Sequence, residues 1–138
     1  EAAVGLEQLK KLPAMTAARR RNLALFQKLF AGDDNFIIQK EHGQSSSFCF
    51  TMILNPKKDL DREKIFAALK AADIGFRIIT GGCFLRHDTI KYYDYDVVGN
   101  GVPNAELAHD RGFFVGNHPH DLTAQIEGLR RTLDRALA

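Results

Sequence analysis

The residues best placed to do chemistry lie in the stretch 73–86, Asp-Ile-Gly-Phe-Arg-Ile-Ile-Thr-Gly-Gly-Cys-Phe-Leu-Arg. Arg77 stands alone in an apolar run, between Phe76 and Ile78. On a strand those neighbours share one face and Arg77 points to the other. A guanidinium on a short strand beside a flexible turn suits carboxylate or phosphate, because its planar fork can donate two parallel hydrogen bonds. Gly81 and Gly82 supply the turn, since either can take positive φ or let another chain approach closely. The competing reading is an edge-strand arginine that faces water or pairs with a local acid.

A second constellation is Asn117-His118-Pro119-His120-Asp121. A loop that enters a helix N-terminus offers free N–H groups to an anion, so Asn117 and His118 are candidate contacts to a substrate or partner. Equally, they could serve only to satisfy the strand-to-helix corner. The two nearby histidines invite a metal reading, but zinc needs three or four ligands. His42, His87 and His109 are scattered, and neither Cys49 nor Cys83 belongs to a CxxC, so no metal is expected. There is no nucleophile elbow, phosphate-binding glycine loop or mechanistic carboxylate pair, so no residue of this chain is assigned a catalytic role.

Elements must position these groups. At 138 residues the chain is one domain's worth and long enough for a real core. A formal charge of +2 is too small to argue for a nucleic-acid or membrane-surface partner, and none is expected. There is no apolar run long enough to cross a bilayer, and both cysteines sit in apolar surroundings like reduced core thiols. A cytoplasmic setting is the expectation. Residues 2–11 read as a short helix, interrupted by Pro13, which would open a second helix reaching about Phe30 and closed by Gly32. Three consecutive arginines, Arg19 to Arg21, fan around that helix and read as solvated surface, with at most one inward ion pair.

A short strand is predicted at 36–39. The strongest strand, 47–54, has Phe48, Phe50, Met52 and Leu54 on one side and Cys49, Thr51 and Ile53 on the other. Both faces are apolar, which predicts a central strand covered on both sides. Asp61 reads as the N-cap of a helix with Leu60 and Ile65 as its staple and Gly75 as its end. Strands follow at 76–79 and 113–115, with an irregular tyrosine- and aspartate-rich connection over 87–98. Asn104 is predicted to cap a helix to Arg111, and Asp121 to cap the last helix, whose apolar stripe includes Leu122, Ile126, Leu129 and Leu133. The expected fold is α+β: three or four mostly antiparallel strands with helices on one side and a long N-terminal helical arm. Residues 1–31 would be the arm and 32–138 the small domain.

Longer motifs add a resemblance. Glu1 to Leu12 and the Arg19-Arg20-Arg21-Asn22 helix resemble the path from the large cofactor domain into the small C-terminal domain of the DegT/DnrJ/EryC/StrS sugar aminotransferases. Arg77-Ile78-Ile79-Thr80-Gly81-Gly82-Cys83-Phe84-Leu85-Arg86, Asn104-Ala105-Glu106 and Gly112-Phe113-Phe114-Val115-Gly116-Asn117-His118 are similar to the GDP-4-keto-6-deoxy-mannose 3-dehydratase branch. The branch carries proline and asparagine where this chain has Ile78 and Cys83.

The resemblance implies the C-terminal part of a fold-type I, pyridoxal phosphate-dependent enzyme acting on a nucleotide-linked 4-keto-6-deoxysugar, in deoxysugar or surface-polysaccharide synthesis. It places the Schiff-base lysine or catalytic histidine in a large domain upstream of Glu1. It further implies a homodimer, with Arg77, Gly81, Gly82, Asn117 and His118 on the substrate side. The rival is a free-standing α+β module that binds a small anion through Arg77 and the Asn117–His118 corner.

Overall fold

The structure, a computed structural model, describes residues 2–138. Strands β1 (Phe36–Ile38), β2 (Cys49–Leu54), β3 (Phe76–Ile78) and β4 (Gly112–Gly116) form one open sheet in the order β1-β2-β4-β3. Every pairing is antiparallel. Helices α1 (Ala2–Phe30), α2 (Arg62–Ala71) and α4 (Thr123–Leu137) build the core against one sheet face, whereas α3 (Pro103–Arg111) runs straight into β4 and adds nothing to that core. This is the α+β arrangement expected, with the long helix at the N-terminal side.

Alternation along the strands divides the sheet. Phe50, Met52 and Leu54 of β2 point inward with Phe113 and Val115 of β4, and all five are buried. Phe26 of α1 stacks on Phe50 at 4.7 Å, and Phe66 of α2 meets Phe113 edge-on at 5.6 Å. Burying large rings of this kind supplies most of the drive to fold. α4 lays Ile126, Leu129 and Leu133 into the same core, with Leu122 joining them from its N-cap, as the spacing predicts.

Several details differ from the sequence reading. α1 runs unbroken through Pro13. The proline removes one helical hydrogen bond and crowds the carbonyl of Leu9. Here that region is exposed, so water can satisfy the freed carbonyl, and good helix formers continue on both sides. β2 is central, yet its outer face is only partly covered: Thr51 and Ile53 are half-buried. Phe48 precedes the strand and stays 66% exposed, leaving the alternation predicted for it.

The left-handed residue after α2 is Asp73, at φ 54, rather than Gly75. Aspartate is among the few side chains that visit that region at modest cost. α3 begins at Pro103, whose fixed φ suits the first helical position, so Asn104 lies inside the helix and caps nothing. Asp61 is the N-cap foreseen, accepting from the amides of Glu63 and Lys64. Asp121 sits one residue outside the cap of α4 but still accepts from the Thr123 amide at 2.9 Å.

Candidate functional site

β3 pairs with β4 so that Arg77 lies opposite Phe114, which in turn lies opposite Thr51 of β2. All three therefore share the outer sheet face, and Arg77 is exposed there. A cleft of about 560 Å³ opens at this place. Arg77, Thr80 and His118 line it together with Arg19, which reaches in from α1. Phe48 and Phe114, edge-to-face at 6.2 Å, form its apolar wall. No carboxylate lines the cleft, and among the described residues neither arginine forms a salt bridge. Two uncompensated guanidiniums beside a histidine make a site suited to an anion with several acceptor oxygens.

Asn117 stands at the floor of this cleft but is only 2% exposed. Its side chain donates to the carbonyls of Arg19 (3.0 Å) and Ser47 (2.8 Å), and its oxygen accepts from Asn22 Nδ2 at 3.0 Å. Asn22, also buried, donates further to the carbonyls of His118 and His120 and accepts from the Leu122 amide. Arg19 Nε donates to the Asn117 carbonyl at 3.2 Å. The asparagine pair thus knots α1, the start of β2 and the β4–α4 corner, and so holds Arg19 and His118 on the cleft. Asn117 thus satisfies the strand-to-helix corner, while His118 is exposed at the surface beside the cleft.

The glycine turn is placed differently. Gly81 and Gly82 do adopt positive φ, at 83° and 49°, but neither lines the cleft. A Cβ on Gly82 would lie 2.3 Å from His109 Nδ1 on α3, the atom that accepts from the Cys83 amide at 3.2 Å. Close approach is indeed what Gly82 permits, and the approaching group is a side chain of its own domain. Arg86 then pairs with Asp110 at 2.5 Å, which holds the Asp110 carboxyl below the usual range. Beyond these anchors two short 3-10 turns lead into the irregular stretch expected.

Sequence reasoning missed Arg19 and Asn22. The available signal was the stripe Ala18, Asn22, Phe26, Phe30, the buried residues of α1 at steps of four. A polar residue inside an apolar stripe needs a buried partner. Arg19 lies beside that stripe; its inward bond goes to a carbonyl rather than to an acid.

The sequence profile of the DegT/DnrJ/EryC1/StrS aminotransferase family matches residues 1–132. The chain belongs to this family. It is 40% identical over 134 residues to the GDP-4-keto-6-deoxy-D-mannose 3-dehydratase of Yersinia pseudotuberculosis, covering 96% of this chain and 34% of that protein. The Escherichia coli O55:H7 protein of the same name is 40% identical over 132 residues, covering 95% and 34%. The solved Escherichia coli enzyme with bound hydrated PLP superposes at a TM-score of 0.89 with 39% identity, again over 95% and 34% of the two chains. The Helicobacter pylori aminotransferase PseC, at 15% identity and a TM-score of 0.79 over 97% of this chain and 36% of its own, shares the fold. The chain spans about a third of the length of the curated relatives it matches.

No lysine lines this cleft, so the cleft itself offers no amine to hold pyridoxal phosphate, the cofactor bound in the solved Escherichia coli relative. Among the described residues no three His, Cys, Asp or Glu side chains gather as a metal site. No described helix is long and apolar enough to cross a membrane.

Proposed function

We propose that this chain is the substrate-facing C-terminal domain of a pyridoxal phosphate-dependent enzyme that acts on a nucleotide-linked 4-keto-6-deoxysugar. The observation that carries this is the convergence of Arg19 and Arg77, neither paired with an acid, on one cleft beside His118. The arginines bind the diphosphate linkage, and Phe48 and Phe114 keep water from one side of it. The cofactor supplies the electron sink from a separate large domain, continuous with residues 1–31, while residues 32–138 close over the substrate. The enzyme works as a cytoplasmic homodimer in deoxysugar or surface-polysaccharide synthesis. Gly81 and Gly82 contribute by placing the 3-10 turns, and Asn117 by holding the corner.

Calorimetric titration of this chain with GDP-mannose, as a stable nucleotide sugar, tests the reading. A lost charge-assisted contact is worth about 1.5–3 kcal/mol. Arg77→Ala should therefore weaken binding roughly 10- to 150-fold, and Arg19→Lys less. Unchanged affinity in both variants sinks the proposal. Equal binding of simple sulfate and the nucleotide sugar would favour the small-anion module instead.

A further inference from the structure

The turn that follows β3 is clamped between two histidines that hold it in opposite chemical senses. His87 Nε2 contacts the Gly81 carbonyl. A carbonyl can only accept, so this nitrogen carries a proton and donates. His109 Nδ1, reaching from α3, instead accepts from the Cys83 amide. That nitrogen must be bare, with the ring proton on Nε2. The same ring packs so closely on Gly82 that no Cβ fits between them.

Protonation acts differently on the two clamps. A charged His87 still donates to the Gly81 carbonyl. A charged His109 has no lone pair left, and its new Nδ1–H faces the Cys83 N–H. The bond then becomes a contact between two donors. Charged groups reach His109 from three elements. Asp110 and Glu106 share α3 with it, and Arg62 of α2 donates to the carbonyls of His109 and Asp110. Arg86 on the turn pairs with Asp110 and stands near Glu106. Two guanidiniums thus offset two carboxylates, and Cys83 and His87 are the remaining titratable groups of the turn. The Arg86–Asp110 pair persists in mild acid, because Arg86 holds that carboxyl below its usual range.

The His109 bond fixes a hinge. Gly81 and Gly82 both have positive φ, and glycine backbone rotates readily once a restraint is removed. Cys83, directly after them, is fully buried, whereas Phe84 and Tyr92 further along are more than half exposed. The backbone bonds of the 3-10 turns between them are local, running from Arg86 to Cys83, His87 to Phe84 and Ile90 to His87. These turns do not tie the segment to the sheet. Cys83 and the Arg86–Asp110 pair do.

We propose that His109 is a pH-sensitive pin: its neutral imidazole holds the Cys83 amide and closes the Gly81–Gly82 hinge, and its protonation in mild acid releases the turn. Histidine is the side chain whose charge ordinarily changes between pH 5 and 8. The device is independent of the anion reading of the cleft, since none of Gly82, Cys83 and His109 lines it.

Hydrogen exchange resolved by NMR tests the pin at pH 7.5 and 5.5, with rates corrected for the intrinsic effect of pH. Protection of the Cys83 amide should fall about three- to tenfold in acid, as for one lost neutral hydrogen bond, while amides of the β2–β4 ladder keep theirs. Asparagine places an oxygen where Nδ1 lies and does not titrate, so His109→Asn should stay protected at both values. His109→Ala should be unprotected at both. His87→Gln keeps a donor and should retain the pH response of the unaltered chain. Equal protection at both pH values, or the same acid loss in His109→Asn, overturns the proposal. So does a response abolished by His87→Gln, or a parallel loss across β2 and β4 that marks general loosening. If His109→Ala does not fold, the asparagine variant decides alone.

Discussion

Arg130 and Arg77 show two uses of one side chain. Arg130 on α4 lies over the Phe30 ring at 4.8 Å and pairs with both Asp134 and Asp33. Its hydrogen bond to Asp134 and the pairing with Asp33 outweigh burial and raise its pKa. It ties the turn after α1 to α4 and is spent on the fold. Arg77 lies on the outer sheet face with no carboxylate partner among the described residues, next to Arg19, which bonds only a carbonyl. The difference teaches that pairing, more than exposure, marks which arginines remain free for a ligand.

The largest expected effect breaks the scaffold under the cleft. Asn117→Ala leaves the Arg19 and Ser47 carbonyls without this donor in a buried corner and removes one of the three acceptors of the Asn22 amide. A loss of about 2–4 kcal/mol is expected, read as a large drop in the denaturant midpoint. Asn117→Asp, whose carboxylate would face the Arg19 and Ser47 carbonyls in this buried corner, should cost at least as much. Gly82→Ala comes next. Its Cβ meets the His109 ring and its φ of 49° strains an L-residue, so about 1–3 kcal/mol should be lost without a change in the cleft.

Asp33→Asn should cost about 1 kcal/mol near neutral pH, because the pair is partly open to solvent. Burial pushes the Asp33 carboxyl up, but bonds from Asn35 and Arg130 outweigh it and hold the net pKa below its ordinary value. A depressed carboxylate contributes stability above its unfolded pKa of about 4, and that contribution is lost as pH falls through the folded value. The gap between unaltered chain and variant should therefore close below about pH 4, in acid titrations monitored by circular dichroism. Arg77→Ala completes the contrast with the smallest effect on stability, within about 0.5 kcal/mol, since an exposed unpaired arginine holds nothing together.

What could be read from the sequence follows from how local the signals are. The strand alternation at Phe50, Met52 and Leu54, the Asp61 cap and the stripe of α4 each declare themselves within a few residues. Arg77 was found because an arginine in an apolar run stands out. Arg19 was not, since its role comes from Asn117, 98 positions away. The same distance hid the partnership of Asn22 with the β4–α4 corner. Pro13 misled because its local rule presumes a packed helix, whereas that part of α1 is exposed. The Gly82 contact with His109 likewise joins α3 to a turn remote in sequence. Polar residues whose partners are remote carry no periodicity to betray them.

The most direct test of the central claim is calorimetry of GDP-mannose against Arg77→Ala beside the unaltered chain, with the Tm of both measured. The account predicts a fall in affinity of at least about tenfold at unchanged Tm. Equal affinity, or a loss that only tracks a lowered Tm, would contradict it and return Arg77 to the ordinary surface.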